Sequence, residues 1–324
     1  MPYTNPDCRV AITTRREFLR GCAAAVAASS VAPAWGRTID AATPAALPTR
    51  AIPATGERLP IVGLGTNAYS VTDPAEIDRR RAVIARLVEL GARVVDTARA
   101  YGDSELVVGR ILKQPGLRQR VFLATKTPNG GDLTNPDRVV EESFARLGTD
   151  TIDLLQIHSM HGVGELMPRL RELKEARRVR YLGATTSDDA QYPTLLQAMR
   201  TQPLGFVQVD YSIDNRNAAT DVLPLARERG MAVLVNMPFG GRRDGNLLRK
   251  LGSAPLPGWA ADLGAASWAE VLLKYVLSHP SVTVAIPGTT SLANLETNVR
   301  ASLGELPDAA LRRRMERDWD SRPL

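Results

Sequence analysis

The 324-residue chain predicts a (β/α)8 TIM barrel preceded by a short N-terminal β-hairpin. Three observations carry that prediction. From Ile52 onward, short β-branched or apolar runs alternate with helical patterns, the order expected of strands joined by crossover helices. The runs are almost continuously apolar, as parallel strands covered on both faces must be. Eight such units fit into roughly 270 residues, the size and count of this barrel.

The elements follow in order. "IPATGERLPIVGLG" reads as a hairpin around Thr55-Gly56 that leads into a strand at 61–64. A helix near 76–90 carries Ile77, Val83, Ile84, Leu87 and Val88 on one face, the 3.6-residue period of a half-buried helix. Then come "RVVD", a helix at 105–112, "VFLATK" and a helix at 136–147 with Asn135 as N-cap and Pro136 in the first turn. "IDLLQIH", a helix near 165–176, "VRYLGATT", a helix at 189–199, "LGFVQVDY" and a helix near 218–229 continue the alternation. "MAVLVNM", a helix at 267–277, "VTVAIPG" and a last helix near 293–303 complete it. A doubly wound sheet is the runner-up. Its phosphate-binding turn would read G-x-G-x-x-G, and "GLGTNAYS" supplies Gly63 and Gly65 without a third glycine.

With 44% hydrophobic and 23% charged residues, a chain of this length can bury a large core without disulfides or metals. The net charge of +6 comes from arginines scattered along helical patterns, and only 5% of residues are aromatic. A nucleic-acid partner is not expected, because it would need a clustered basic stripe with interleaved aromatics.

The first residues are of another kind. In "TTRREFLRGCAAAVAASSVAPAWG", Arg15 and Arg16 precede Glu17-Phe18-Leu19, and a weakly apolar run follows from Ala23 to Val31. That run is too short to span a bilayer, which takes about 20 apolar residues, so no stable membrane anchor is expected. The pattern of basic region, apolar region and small-residue site resembles a twin-arginine export signal, with cleavage between Ala34 and Trp35 and a periplasmic destination. Cys8 and Cys22 both lie in the segment to be removed, which suits an oxidising compartment. Cys22 precedes the apolar run, so lipid attachment there is not expected. Removal would take away four arginines and two acids and leave a net charge of +4. The expected organisation is a signal at 1–34, a flexible leader at 35–50 and the barrel at 51–324.

In a barrel of this kind the reactive groups sit where strands end, at the C-terminal rim. The second strand ends at Asp96 with Tyr101 in its loop, the third at Lys126 and the fourth at His158. Each has a plain structural reading: a helix cap, loop packing, a solvated rim charge, a core histidine. Three consecutive strands finishing in ionisable groups is harder to explain that way. A free tyrosine titrates at about 10, and a neighbouring ammonium favours the phenolate. A buried lysine keeps its proton when a carboxylate holds it, which gives Asp96 a role. The expected arrangement has Asp96 pairing Lys126, Lys126 polarising Tyr101, and Tyr101 donating a proton to a carbonyl oxygen that His158 orients. A second carboxylate for glycosidase chemistry and the ligands for a metal site are both in short supply.

"DTARAYGDSE" resembles the D-T-A-x-x-Y-G-x-S-E signature of the aldo-keto reductases. "GERLPIVGLGT", "DLLQIH" and "AIPGTTSLANLETNV" extend the likeness over most of the barrel. The resemblance implies a (β/α)8 barrel that reduces aldehydes and ketones with NADPH, and a catalytic tetrad of Asp96, Tyr101, Lys126 and His158. It also implies cofactor contacts at Thr66, at Asp96, at Thr185 and Thr186 in "GATTS", and at Gln208. The family often places an aromatic after the seventh strand to stack on the nicotinamide. Here "VNMPFGG" offers Asn236, Met237, Pro238 and Gly240 around Phe239, the nearest aromatic. At the eighth strand, Pro287, Gly288, Thr289, Thr290, Asn294 and Asn298 match the phosphate loop and helix N-terminus, a natural anion site. No basic residue lies between Pro287 and Val299, so NADP(H) is expected with NAD(H) open, and Arg242 or Arg243 would grip a 2′-phosphate.

The leading expectation is therefore an exported NAD(P)H-dependent reductase of a small carbonyl substrate. A cofactor-binding, redox-sensing or regulatory subunit of a membrane partner is the alternative. A monomer is expected, and a redox partner would be one route to recycle a retained cofactor. Tyr69, Met160 and Trp259 are candidates for the substrate wall, and 236–264 is the longest loop.

Overall fold

The computed structural model describes residues 46–241 and 246–322. The residues expected to form an export signal, those of the expected leader up to residue 45, and Arg242 and Arg243 lie outside the described residues.

A hairpin of β1 (Thr49–Ala51) and β2 (Arg58–Pro60) opens the described chain. Eight parallel strands follow: β3 (Leu64–Gly65), β4 (Val94–Asp96), β5 (Phe122–Lys126), β6 (Ile152–His158), β7 (Val179–Thr186), β8 (Phe206–Asp210), β9 (Ala232–Asn236) and β10 (Val284–Ala285). Each pairs with its neighbour in sequence. Parallel bridges from Val62 to Ala285 and from Gly65 to Gly288 join the first strand to the last. A side chain at Gly65 would place its Cβ 2.9 Å from Ile286 O; the seam closes there because glycine has none. Short apolar strands, each returned by a helix, have a barrel as their edge-free solution.

Because strand side chains alternate, every second residue points into the barrel. Val94, Phe122, Leu154, Tyr181, Phe206, Ala232 and Val284 form one apolar cluster there, with Ile52 and Leu59 of the hairpin. Counting two residues at a time toward the C-terminal ends, the inward positions become polar: Asp96, Lys126, Gln156 and His158, Thr185, Gln208, Asn236. The intervening residues Val95, Leu123, Leu155, Leu182, Val207 and Val233 belong to the outer core, beneath the helices.

The helices that cover the strands are α1 (Pro74–Glu89), α2 (Ser104–Leu112), α3 (Pro136–Leu147), α4 (Val163–Glu175), α5 (Tyr192–Thr201), α6 (Val222–Glu228), α7 (Leu247–Leu251), α8 (Trp268–Leu277), α9 (Leu292–Arg300) and α10 (Ala309–Asp320). Local chemistry starts and stops them. Asn135 Oδ1 accepts from Arg138 N, Pro136 occupies the first turn and Gly148 ends α3 at φ 60°, the capping pattern expected of that sequence. The order of elements agrees with the expected alternation, with three differences. The residues expected to begin one helix at 189 form a 3-10 turn, Asp189–Gln191, ahead of α5. The expected loop 236–264 contains α7 and a 3-10 helix, Gly258–Leu263. A tenth helix, α10, follows where none was expected. β1 starts at Thr49, and Arg50 donates to Leu277 O at 2.6 Å and His279 O at 3.1 Å.

Candidate active site

The strand ends converge on a cavity of about 370 Å³. Asp96, Tyr101, Lys126 and His158 all line it. Lys126 Nζ donates to Asp96 Oδ2 at 2.5 Å, to Thr97 O at 2.8 Å and to Tyr101 Oη at 3.3 Å. The tyrosine ring stands edge-on to His158, with centroids 6.1 Å apart. Asp96 and Lys126 are buried, at 2% and 1% exposure, so their charges persist through each other and through their hydrogen bonds.

Burial pushes the Asp96 carboxyl up, against the pull of Lys126 and the amides of Gln208 and Gln156. Burial presses on Lys126 in the opposite sense, but Asp96 and Tyr101 outweigh it and hold the ammonium above its ordinary value. The state this geometry supports is the ion pair, with the ammonium donating to both Asp96 and Tyr101. Burial, reinforced by the Lys126 charge, presses the His158 imidazole down to about 4. At neutral pH that ring is uncharged and able to donate from one nitrogen. Its Nδ1 is buried without a hydrogen-bond partner among the described residues.

Two short-range networks fix the rim. Thr66 Oγ1 donates to Asp96 O at 2.9 Å, and Ser104 Oγ donates to Thr66 O at 2.9 Å. Ser104 Oγ also lies 2.9 Å from Thr97 Oγ1, so the loop after β3 is tied to the segment that carries Tyr101. Ser159 at φ 50° and Met237 at φ 50° hold left-handed backbone and both line the cavity. Non-glycine residues in that region are uncommon and collect at functional sites.

Thr66, Thr185, Thr186, Asn236, Met237, Pro238, Phe239, Gly240 and Gly288 also line the cavity. A neighbouring cavity of about 160 Å³ is lined by Thr289, Asn294 and Asn298, and shares Phe239, Asn246 and Gly288 with the first. Gln208 does not line the cavity, and its Nε2 reaches Asp96 Oδ2 at 3.4 Å. Pro287 is part of the seam, accepting from Gly65 N at 3.2 Å. Neither Pro287 nor Thr290 lines either cavity, and Arg242 is outside the described residues.

The substrate-wall expectation is corrected. Tyr69 is fully buried and its hydroxyl donates to Thr289 O at 3.3 Å. Trp259 Nε1 donates to Asp318 Oδ2 at 2.7 Å, against α10. Met160 packs in the outer core. All three are packing residues, and none lines the cavity. The residues that reasoning from sequence passed over are Gly65, Asn67, Ser159, Ser187, Asn246 and Ile286. Ser159 and Ser187 directly follow strand ends, which is the signal that would have found them. Among the described residues no group of His, Cys, Asp and Glu is placed to hold a metal ion, and no helix is long and apolar enough to cross a membrane.

The aldo/keto reductase family model matches residues 61–314. The chain belongs to the aldo/keto reductase family. It is 31% identical over 260 residues to methylglyoxal reductase YeaE of Escherichia coli (strain K12), covering 78% of this chain and 89% of that protein. It is 26% identical to aldo-keto reductase yakc [NADP(+)] of Schizosaccharomyces pombe, over 82% of this chain and 90% of that one. A Klebsiella pneumoniae aldo-keto reductase, solved in complex with NADPH, superimposes with a TM-score of 0.66 at 26% identity, over 82% of this chain and 92% of that one.

Proposed function

We propose that this reductase converts a small aldehyde or ketone to the alcohol with NADP(H), using Tyr101 as the acid. The observation that carries the proposal is the buried chain Asp96–Lys126–Tyr101, with Oη 3.3 Å from an ammonium that a carboxylate holds at 2.5 Å. Tyr101 Oη gives its proton to the carbonyl oxygen. The negative charge left on Oη meets the Lys126 ammonium, a preorganised electrostatic partner in a water-poor site. Neutral His158 donates a second hydrogen bond to the same oxygen and orients it.

The cofactor is tested by the acceptors that wait for it. Among the described residues Asn236 Oδ1, on the cavity wall, and Gln208 Oε1, outside its lining, are buried without a hydrogen-bond partner, and the first suits a ligand with amide N–H donors. The adjoining cavity at Thr289, Asn294 and Asn298 opens at the N-terminal turn of α9, where free N–H groups favour anions. These residues fit a nicotinamide dinucleotide, and Thr185 and Thr186 complete its cradle. When bound, that cofactor supplies the hydride. The name of the fission-yeast relative and the Klebsiella complex support NADP(H) over NAD(H), and the Escherichia coli relative supports a short, reactive carbonyl substrate.

The test is single-turnover reduction of small aldehydes by the purified chain with one equivalent of NADPH. Tyr101→Phe should lower the rate by about 10³-fold and leave nucleotide affinity unchanged. Failure of the wild-type chain to oxidise NADPH when reactive aldehydes are supplied overturns the reductase, and an active Tyr101→Phe chain removes Tyr101 from the acid role. The proposal includes export: the arginine pair before the apolar run supports passage of the folded enzyme to the periplasm, with cleavage after Ala34. Intact mass of the chain recovered from its own host decides that part, and a full-length periplasm-free chain overturns it.

A further inference from the structure

The two oxygens of the Asp96 carboxylate are held by different residues. Oδ2 accepts from Lys126 Nζ at 2.5 Å and from Gln208 Nε2 at 3.4 Å. Oδ1 accepts from Gln156 Nε2 at 3.4 Å. Gln156 is fully buried on β6, one inward-facing step below His158, and does not line the cavity. Its Oε1 has no hydrogen-bond partner among the described residues. Turning the amide over would aim that oxygen at a carboxylate, so the electrostatics admit only the orientation with the NH₂ group toward Asp96.

A second residue makes the contact sterically feasible. Gly183 on β7 is the register partner of Gln156. A Cβ at position 183 would lie 2.9 Å from Gln156 Cγ and 3.2 Å from both Leu154 Cδ1 and Phe206 O. The backbone oxygen cannot yield, so the glutamine would have to. The inward positions of β7 read Tyr181, Gly183, Thr185, and the gap in the middle is filled by the Gln156 side chain.

We propose that Gln156 is a positioning residue for the reduction: it holds the Asp96 carboxylate ionised and turned toward Lys126, and position 183 is glycine so that it can. This rests on the reductase reading above. A carboxylate removed from water stays ionised only while donors satisfy it. Gln156 is the donor on Oδ1, so its loss leaves half of the carboxylate unsatisfied and favours protonation. A protonated Asp96 no longer holds the ammonium, and Lys126 then supports Tyr101 less. The groups facing Asp96 are Lys126 from β5, Tyr101 from the loop after β4, His158 from β6 and the amide of Gln208 from β8. Asp210, further along β8, accepts from Asn215 Nδ2 at 3.0 Å. Glu105 of α2 lies on the outer side of β5, where Thr125 Oγ1 donates to it at 2.7 Å.

The experiment compares wild type, Gln156→Leu, Gln156→Met and Gly183→Ala in two readouts. In single-turnover reduction, the acidic limb of the pH–rate profile should move up by about one pH unit, with a plateau rate about tenfold lower and unchanged nucleotide affinity. In infrared difference spectra taken without nucleotide, the carboxylic-acid band that Asp96→Asn abolishes should appear at higher pH in all three variants. The methionine variant keeps the volume, and Gly183→Ala displaces the amide without removing it, so the result does not hang on one variant that fails to fold. Limb and band at their wild-type pH in the folded variants overturn the role of Gln156. A wild-type chain that reduces no aldehyde overturns the reductase reading instead, and the infrared band still decides whether Gln156 holds Asp96.

Discussion

At the N-terminal end of the barrel, β5, β7 and β8 contribute Phe122, Tyr181 and Phe206, whose ring centroids lie 5.2 to 5.9 Å apart. At the C-terminal end the same three strands contribute Lys126, Thr185 and Gln208. The first end is packed and lidded by the hairpin, with Ile52 and Leu59 in the cluster. Its charges are partly exposed and opposed: Glu57 meets Arg93 and Arg180, and Asp153 meets Arg118 and Arg180. The other end keeps an ion pair at 1% and 3% side-chain exposure and buried acceptors that lack partners among the described residues. One end gathers cohesion and the other concentrates unsatisfied polarity, two to four residues apart on a single strand. An active site with unmet hydrogen-bonding capacity is stable because the layer beneath it asks nothing of water.

That contrast can be broken from either side. The largest effect should come from Lys126→Met, which lowers the single-turnover rate by about 10³-fold while stability, followed by urea unfolding, changes far less than the rate. Phe122→Ala should do the reverse, destabilising the fold by about 4 kcal/mol in the same urea titration, with kcat of the folded fraction retained. A smaller effect lies in pH. Burial, with the charges of Arg312 and Arg50, presses His279 down to about 4, below its ordinary value in the unfolded chain. The unfolded chain therefore takes up the proton first, and the stabilisation is complete above about pH 6.5 and lost as pH falls toward about 4. His279→Gln should flatten that acid loss by about 1 kcal/mol after solvent screening, measured as unfolding free energy against pH. Least of all, Arg180→Ala should cost under about 1 kcal/mol, because its partners Glu57 and Asp153 keep other arginines and the site is half exposed. A loss as large as that of Phe122→Ala would mean the ion pairs, not the rings, hold that end together.

The eight-fold alternation was legible because the inward and outward faces of each strand are both apolar over most of its length, and each helix has its own cap. The tetrad was legible because inward polarity appears only at strand ends, so Asp96, Lys126 and His158 stand out after apolar runs. Short strands were harder. "VTVAIPG" reads as seven residues of strand, but only Val284–Ala285 pair regularly with β9. α10 escaped because only Met315 and Trp319 are buried in a helix otherwise dominated by arginine and acid. Tyr69 and Trp259 misled for a related reason: a large ring near a rim can as well anchor a loop as line a pocket, and their hydrogen bonds to Thr289 O and Asp318 decide for anchoring. Gln156 and Gly183 lay within reach of a sequence argument, two residues before His158 and before Thr185 at inward positions. What made them informative was their pairing across β6 and β7, and register is a tertiary fact.

The hairpin completes a solid apolar plug beneath the site. Ile52, Leu59 and the rings above them fill the N-terminal end, and the cavity lined by Tyr101 and His158 lies at the other. A proton given up by Tyr101, the acid proposed above, is then returned from the cavity side, because the layer beneath it is apolar.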